Sequence, residues 1–241
     1  MRYHCLAFCA LLGLWGCNSP DAPDFLKSTG TDQTVWRHLP GPVQELVIED
    51  DIAVSLTPDT AGPVRLTAGT NLLPKILTEY RQGRLTVSNQ NKAAWVRTYK
   101  RQPTIQIPAG QLRLLEHRGY APLHCTDTLR PDYMALRWYG AANGQLWIRA
   151  NALETDANGI GSLLLAGRTL YAYLFTLKTV KVDARNLQAQ IADVAVGSLR
   201  QASLAVSDTV RVNMIGRADI WIYGRPYSTK TGAGGGKLIF R

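Results

Sequence analysis

The sequence is poor in cysteine, with four in 241 residues. Three of them fall at or before Cys17, and only Cys125 stands in the main body. A disulfide within that body is therefore excluded, and stability must come from packing. A lone cysteine in such a setting is expected to be a small buried apolar residue. Histidine is equally sparse. His38, His117 and His124 have no His-x-x-x-His spacing and no cysteine pair beside them, so no zinc site is expected. Glu49-Asp50-Asp51 lacks the spaced acids and central glycine of an EF-hand.

Other absences remove whole classes of chemistry. Gly234-Gly235-Gly236-Lys237 is followed by Leu238 where a phosphate loop needs Ser or Thr, and Thr231 stands where its first glycine belongs. His124 and Cys125 are adjacent, so on a strand they point to opposite faces and cannot act as base and thiol. No Lys, Arg or Tyr is singled out as the base of a polysaccharide lyase. The expectation is a chain that is not an enzyme and needs no cofactor. No apolar run reaches the roughly 20 residues of a membrane-spanning helix. A sustained helical period is also missing. The one ambiguous stretch, Leu72–Tyr80, contains Pro74.

The N-terminus is informative. Met1-Arg2-Tyr3-His4 is a short basic start, and Cys5–Trp15 is apolar and uncharged. That anatomy describes an export signal. Leu14-Trp15-Gly16-Cys17 resembles the bacterial lipobox, with cleavage before a cysteine that then carries diacylglycerol. Trp15 is bulkier than the usual residue there, so ordinary secretory cleavage is the alternative. Asn18–Thr34 is rich in Asp, Pro, Ser and Thr and reads as a disordered spacer. The expected organisation is a signal peptide over 1–16, a lipidated Cys17 and spacer over 17–34, and a β domain over 35–241, with a possible division into halves near 125–142. The expected location is the cell envelope, lipid-anchored at the outer membrane.

The net charge is +9, and loss of Arg2 with the signal leaves +8. The charges look scattered; Arg97–Arg101 is the nearest approach to a basic stripe. Nucleic acid is not an expected partner. The balance suits anionic glycans, lipid A-like headgroups or an acidic protein.

What is present is short alternation. Leu46, Ile48, Ile52, Val54 and Leu56 alternate about the acidic Glu49–Asp51, and Leu85/Val87 and Ile105/Ile107 follow further on. The second half repeats. One strand type begins at Leu146, Leu170, Leu187 and Val210; another begins at Leu164, Val180, Leu204 and Ile220. Polar corners such as Gly167-Arg168-Thr169 and Ser207-Asp208-Thr209 separate them. A period averaging about 20 residues with strand–corner–strand units predicts an all-β solenoid, or β-helix. A β-sandwich is the alternative.

Taken in order, Val43–Leu56, Val64-Arg65-Leu66-Thr67-Ala68, Asn71-Leu72-Leu73-Pro74-Lys75-Ile76, Gly83-Arg84-Leu85-Thr86-Val87 and Thr104-Ile105-Gln106-Ile107-Pro108 form a pattern. With the closing Ile220-Trp221-Ile222-Tyr223-Gly224-Arg225-Pro226, it resembles the auto-transporter adhesin head GIN domain family, common as lipoproteins of Bacteroidetes-type bacteria. The family's Gly-Ser-Gly-Asp-like corners are replaced here by forms such as Gly216-Arg217-Ala218-Asp219. The resemblance implies a β-helical fold and a cell-envelope role, without supplying an activity.

If Leu146, Leu170, Leu187 and Val210 point inward, their successors point outward. One stacked face would then carry Trp147, Arg149, Tyr171, Tyr173, Gln188, Gln190, Arg211 and Asn213, with Trp221 and Tyr223 on the other strand type. Aromatic rings beside amides and guanidinium groups suit sugar rings. The alternative is that they pack against a loop, a neighbouring domain or a second copy. Trp138-Tyr139 could extend either surface. Three functions are open at this stage: a non-enzymatic adhesion or binding module with a glycan or protein ligand, a polysaccharide-acting enzyme, and a self-associating structural envelope protein.

Overall fold

The computed structural model describes residues 29–91 and 102–241. The export signal, Cys17, most of the expected spacer and Arg97–Arg101 lie outside the described residues. The front of the chain forms β1 (Asp32–Arg37), β2 (Glu45–Ile48), β3 (Ala53–Thr57), β4 (Val64–Gly69), β5 (Ile76–Arg81), β6 (Arg84–Asn89), β7 (Thr104–Pro108), β8 (Leu114–His117) and β9 (Leu123–Cys125). It continues as β10 (Tyr133–Trp138), β11 (Gly144–Ala157), β12 (Ile160–Thr176), β13 (Thr179–Val196), β14 (Ala202–Met214), β15 (Ile220–Tyr223), β16 (Tyr227–Thr231) and β17 (Leu238–Phe240).

These strands join in one continuous, mostly parallel sheet coiled into a β-solenoid of about seven turns. A sandwich would need two sheets facing each other, and the parallel ladders running from turn to turn rule that out. Each turn carries too little apolar surface to fold alone, and stacking buries it. Gly144, Leu163, Val182, Ala202, Ile220 and Leu238 pair in succession, in steps of 19, 19, 20, 18 and 18 residues. The predicted period of about 20 is therefore the length of one turn.

The solenoid has three sides. On the first, Leu115, Leu136, Thr155, Leu174, Val194 and Val212 form an inward row, contributed by β8, β10 and the second halves of β11–β14. On the second, Leu123 of β9 precedes Gly144, Leu163, Val182 and Ala202. The third carries Leu129, Ile148, Gly167 and Leu187. Between residues 125 and 142 the ladders continue, β8 pairing β10 and β9 pairing β11.

The front end is closed differently. The β2–β3 turn lies between the β6–β7 and β8–β9 turns, so the chain passes over its own first turn. Antiparallel β5 on β6, β4 on β7 and β1 on β4 then end the parallel ladder. β1 begins at Asp32, inside the stretch expected to be spacer. The ambiguous Leu72–Tyr80 stretch is a short 3-10 turn, Leu73–Lys75, leading into β5.

One residue expected inside lies outside. Leu170 is 53% exposed while Thr169 is buried. The Thr169 hydroxyl donates to the carbonyls of Tyr171 at 2.9 Å and Asn151 at 3.3 Å, so a polar residue sits inside at no cost in lost partners. Leu164 is half-buried and stacks between Gln145 and Asp183, while Leu163 and Leu165 point inward. Three leucines in a row conceal which of them points in. Trp138 belongs to neither surface: it is fully buried, its indole N–H donating to the Ala142 carbonyl at 3.3 Å. His124 is exposed and its neighbour Cys125 buried, on opposite faces of β9. The Cys125 sulfur accepts the Trp147 N–H at 3.0 Å, and burial pushes the thiol pKa up.

Corners stack as closely as strands. At Gly140 a Cβ would overlap the carbonyl of Gly119, and at Gly159 the carbonyl of Gly140. One turn later Lys178 takes the corner with a left-handed φ of 57°.

Candidate functional site

The third side gathers charge that the sequence disperses. The Arg149 N–H donates to the Leu129 carbonyl at 2.9 Å, which sets Arg130 beside Arg149. Arg149 stacks on Arg168, Arg168 on Gln188, Gln188 on Ala205 and Ala205 on Tyr223. The Gly224 N–H bonds the Arg241 carbonyl at 3.0 Å, bringing Arg241 to the next position. The neighbours of this row, Ile148, Ala150, Thr169, Leu187 and Ala189, are buried. Alternation therefore turns the row outward, and Arg130, Arg149 and Arg168 are all exposed. Successive rungs are about 4.8 Å apart, the spacing of hydrogen-bonded strands.

Where register slips, a groove opens. β13 advances from Ala184 to Gln188 while β14 advances only from Leu204 to Ala205; β14 then places Ser207 and Asp208 opposite the single residue Gln190. The result is an open groove of about 590 Å³, lined by Arg168, Leu170, Gln188, Gln190, Ser207, Asp208, Tyr223 and Arg225. It offers guanidinium donors, amides, a hydroxyl, one carboxylate and an aromatic ring. Beside the arginine row, Trp147 packs half-buried against the core. On the other flank the Asn151 amide donates to the Asp132 carboxylate.

The predicted aromatic face is not one surface. Trp147, Arg149 and Tyr223 share the third side with Gln188 and Gln190. Tyr171, Tyr173, Arg211 and Asn213 lie on the first side, because the ladder sets Tyr171 against Ala152 and Ile191, past the next corner. Trp221 is on the second side, beside Ser203, with the Arg241 guanidinium 4.6 Å from its ring centroid. Leu146 pairs with Leu165, not with Leu170, so their outward neighbours do not form one row.

Several charges on the first and second sides are matched internally. The Arg211 Nη2 reaches Asp193 Oδ2 at 3.0 Å, and the Tyr171 hydroxyl donates to the same carboxylate. Arg211 holds the Asp193 pKa below its ordinary value, and the hydrogen bond to Asp193 pushes the Tyr171 pKa up. The Tyr133 hydroxyl donates to Glu154 at 2.6 Å and the Tyr139 hydroxyl to Asp156 at 2.8 Å. On the second side Arg185 reaches Asp183 at 2.6 Å and lowers its pKa, with the Ser203 hydroxyl adding a bond at 3.0 Å. Sequence reading missed Arg130, Arg168, Arg225 and Asp193. The signal was available for two of them: Arg130, Arg149 and Arg168 are 19 residues apart, one turn each.

Among the described residues, no group of three His, Cys, Asp or Glu side chains could hold a metal ion, and no helix is long and apolar enough to cross a membrane.

Solved structures share this architecture. A "putative adhesin" from Bacteroides fragilis is 17% identical with a TM-score of 0.81, covering 88% of this chain and 97% of that one. A "putative adhesin" from Parabacteroides distasonis is 15% identical with a TM-score of 0.71, over 88% and 98%. A "putative lipid binding protein" from the same species is 16% identical with a TM-score of 0.62, again over 88% and 98%. At such identities the likeness concerns the fold alone. No curated protein matches the sequence. A family model does: "putative auto-transporter adhesin, head GIN domain" matches residues 43–226, from the first core strand to the closing Tyr-Gly-Arg-Pro, and the chain belongs to that family.

Proposed function

We propose that this protein is a non-enzymatic binding module of the cell envelope, exported and held at the outer membrane by a lipid on Cys17, whose third side binds glycan. The adhesin-type family supports a binding role at the cell surface. The observation that carries the glycan reading is the open groove, in which Tyr223 lies among Arg168, Gln188, Gln190 and Arg225. A sugar ring has an apolar face that stacks on an aromatic ring and a polar edge that amides and guanidinium groups bond. The parallel stack holds these groups on rigid strands, so little ordering is needed on binding. A glycan array with the mature chain tests the reading. Binding is expected, weakened by Tyr223→Ala and Gln188→Ala and unaffected by Tyr173→Ala on the first side. Failure of the wild-type chain to bind any glycan counts against it.

A further inference from the structure

Resting on the glycan reading, we propose that the ligand of the third side is a linear acidic glycan, bearing carboxylate or sulfate groups and lying along the solenoid axis on the Arg130–Arg149–Arg168 column.

Like charges directly opposite on neighbouring strands destabilise a sheet. The fold nevertheless sets three guanidinium groups on consecutive rungs, about 4.8 Å apart at the backbone. Among the described residues none of the three makes an ion pair, and the partner of Arg168 is the neutral Gln188, at 3.1 Å. Elsewhere the same rung-to-rung geometry is compensated, Arg211 by Asp193 and Arg84 by Glu45 at 3.1 Å. On the third side three stacked arginines are left for an external anion. A planar guanidinium suits carboxylate or sulfate, which it can bind through two parallel hydrogen bonds.

The direction of the ligand follows from the column. Its charges repeat along the axis, so a chain with acid groups at intervals meets several arginines, while a chain crossing the axis meets one. The column runs into the groove at Arg168, and Arg225 also lines the groove. Trp147 flanks the column and Tyr223 lines the groove, so both rings border the path of the sugar backbone. Acids beside the path include Asp127, Asp132, bonded by Asn151, and Asp208 in the groove.

The test is titration calorimetry of the full mature chain with polygalacturonate, dextran and an oligothymidylate, for wild type and for Arg149→Gln, Arg168→Gln and Arg137→Gln. Arg137 is an exposed arginine on the first side and controls for net charge. Polygalacturonate should bind at least about tenfold tighter than dextran, and each third-side substitution should weaken it about tenfold. Arg137→Gln should leave it within about twofold. Melting curves establish that the variants fold. Equal binding of dextran and polygalacturonate overturns the acidic ligand and leaves the glycan reading standing. Binding of neither polymer overturns both. An equal loss in Arg137→Gln reduces the effect to net charge and overturns the column. Tighter binding of the oligothymidylate assigns the side to nucleic acid and overturns the inference.

Discussion

The His117 ring lies flat on the Trp138 ring, 4.3 Å between centroids and 13° apart in plane, on successive turns of the core. Each ring is fully buried, and each donates to a carbonyl four residues ahead, Ala121 at 3.1 Å and Ala142 at 3.3 Å. With Nε2 carrying the proton, Nδ1 is buried without a partner. Burial lowers the His117 pKa to about 4.

A pH dependence follows. An unfolded histidine titrates near 6.5, so between pH 6.5 and about 4 the unfolded chain binds the proton that folded His117 refuses. Stability therefore falls as pH drops through that window, by about 3 kcal/mol at its lower end. Urea melts at pH 7 and pH 4.5 should show most of this loss, and His117→Phe should remove that component. An unchanged pH slope in the variant would rule out His117 as its source.

The corner column makes a second prediction. Gly159→Val places a side chain against the carbonyl of Gly140 and should cost about 2–4 kcal/mol. Gly235→Ala, whose Cβ would meet only Arg217 Cγ at 3.9 Å, should change stability by less than about 0.5 kcal/mol. Thermal melts of the two variants check the contrast.

On the first side, Asp193 serves both Arg211 and Tyr171. Its folded pKa is depressed, so its contribution is present at neutral pH and is lost as pH falls through that lowered value. The pair is partly exposed, so Asp193→Asn should lower the melting temperature less than Gly159→Val does. It should leave glycan binding unchanged, because Asp193 faces away from the third side.

The anchor is tested separately. Mass spectrometry of the mature protein should find diacylglycerol on an N-terminal Cys17, and Cys17→Ser should release the protein from the membrane fraction. A free thiol at Cys17, or a different cleavage site, would refute the anchor.

The solenoid was legible because its turns repeat near 20 residues and its core rows alternate. Its phase was less legible. The run Leu163–Leu165 gives alternation no purchase, and buried Thr169 beside exposed Leu170 reverses the hydropathy rule through a hydrogen bond that sequence does not display. That slip assembled Tyr171 and Tyr173 with Trp147 and Arg149 on a face that does not exist. The arginine column was hidden for a related reason. Charges 19 residues apart look scattered along a chain and become neighbours once each turn closes. The register slips that open the groove, at Arg185–Leu187 and Ser207–Asp208, depend on how β13 and β14 pair and leave no pattern in either strand alone.

The most direct test of the binding side is an isotope-labelled NMR titration of the mature chain with oligogalacturonate. Backbone and guanidinium shifts should concentrate at Arg149, Arg168, Gln188 and Tyr223. Shifts confined to Tyr171, Tyr173 and Arg211 on the first side, or no shifts at saturating ligand, would contradict the account.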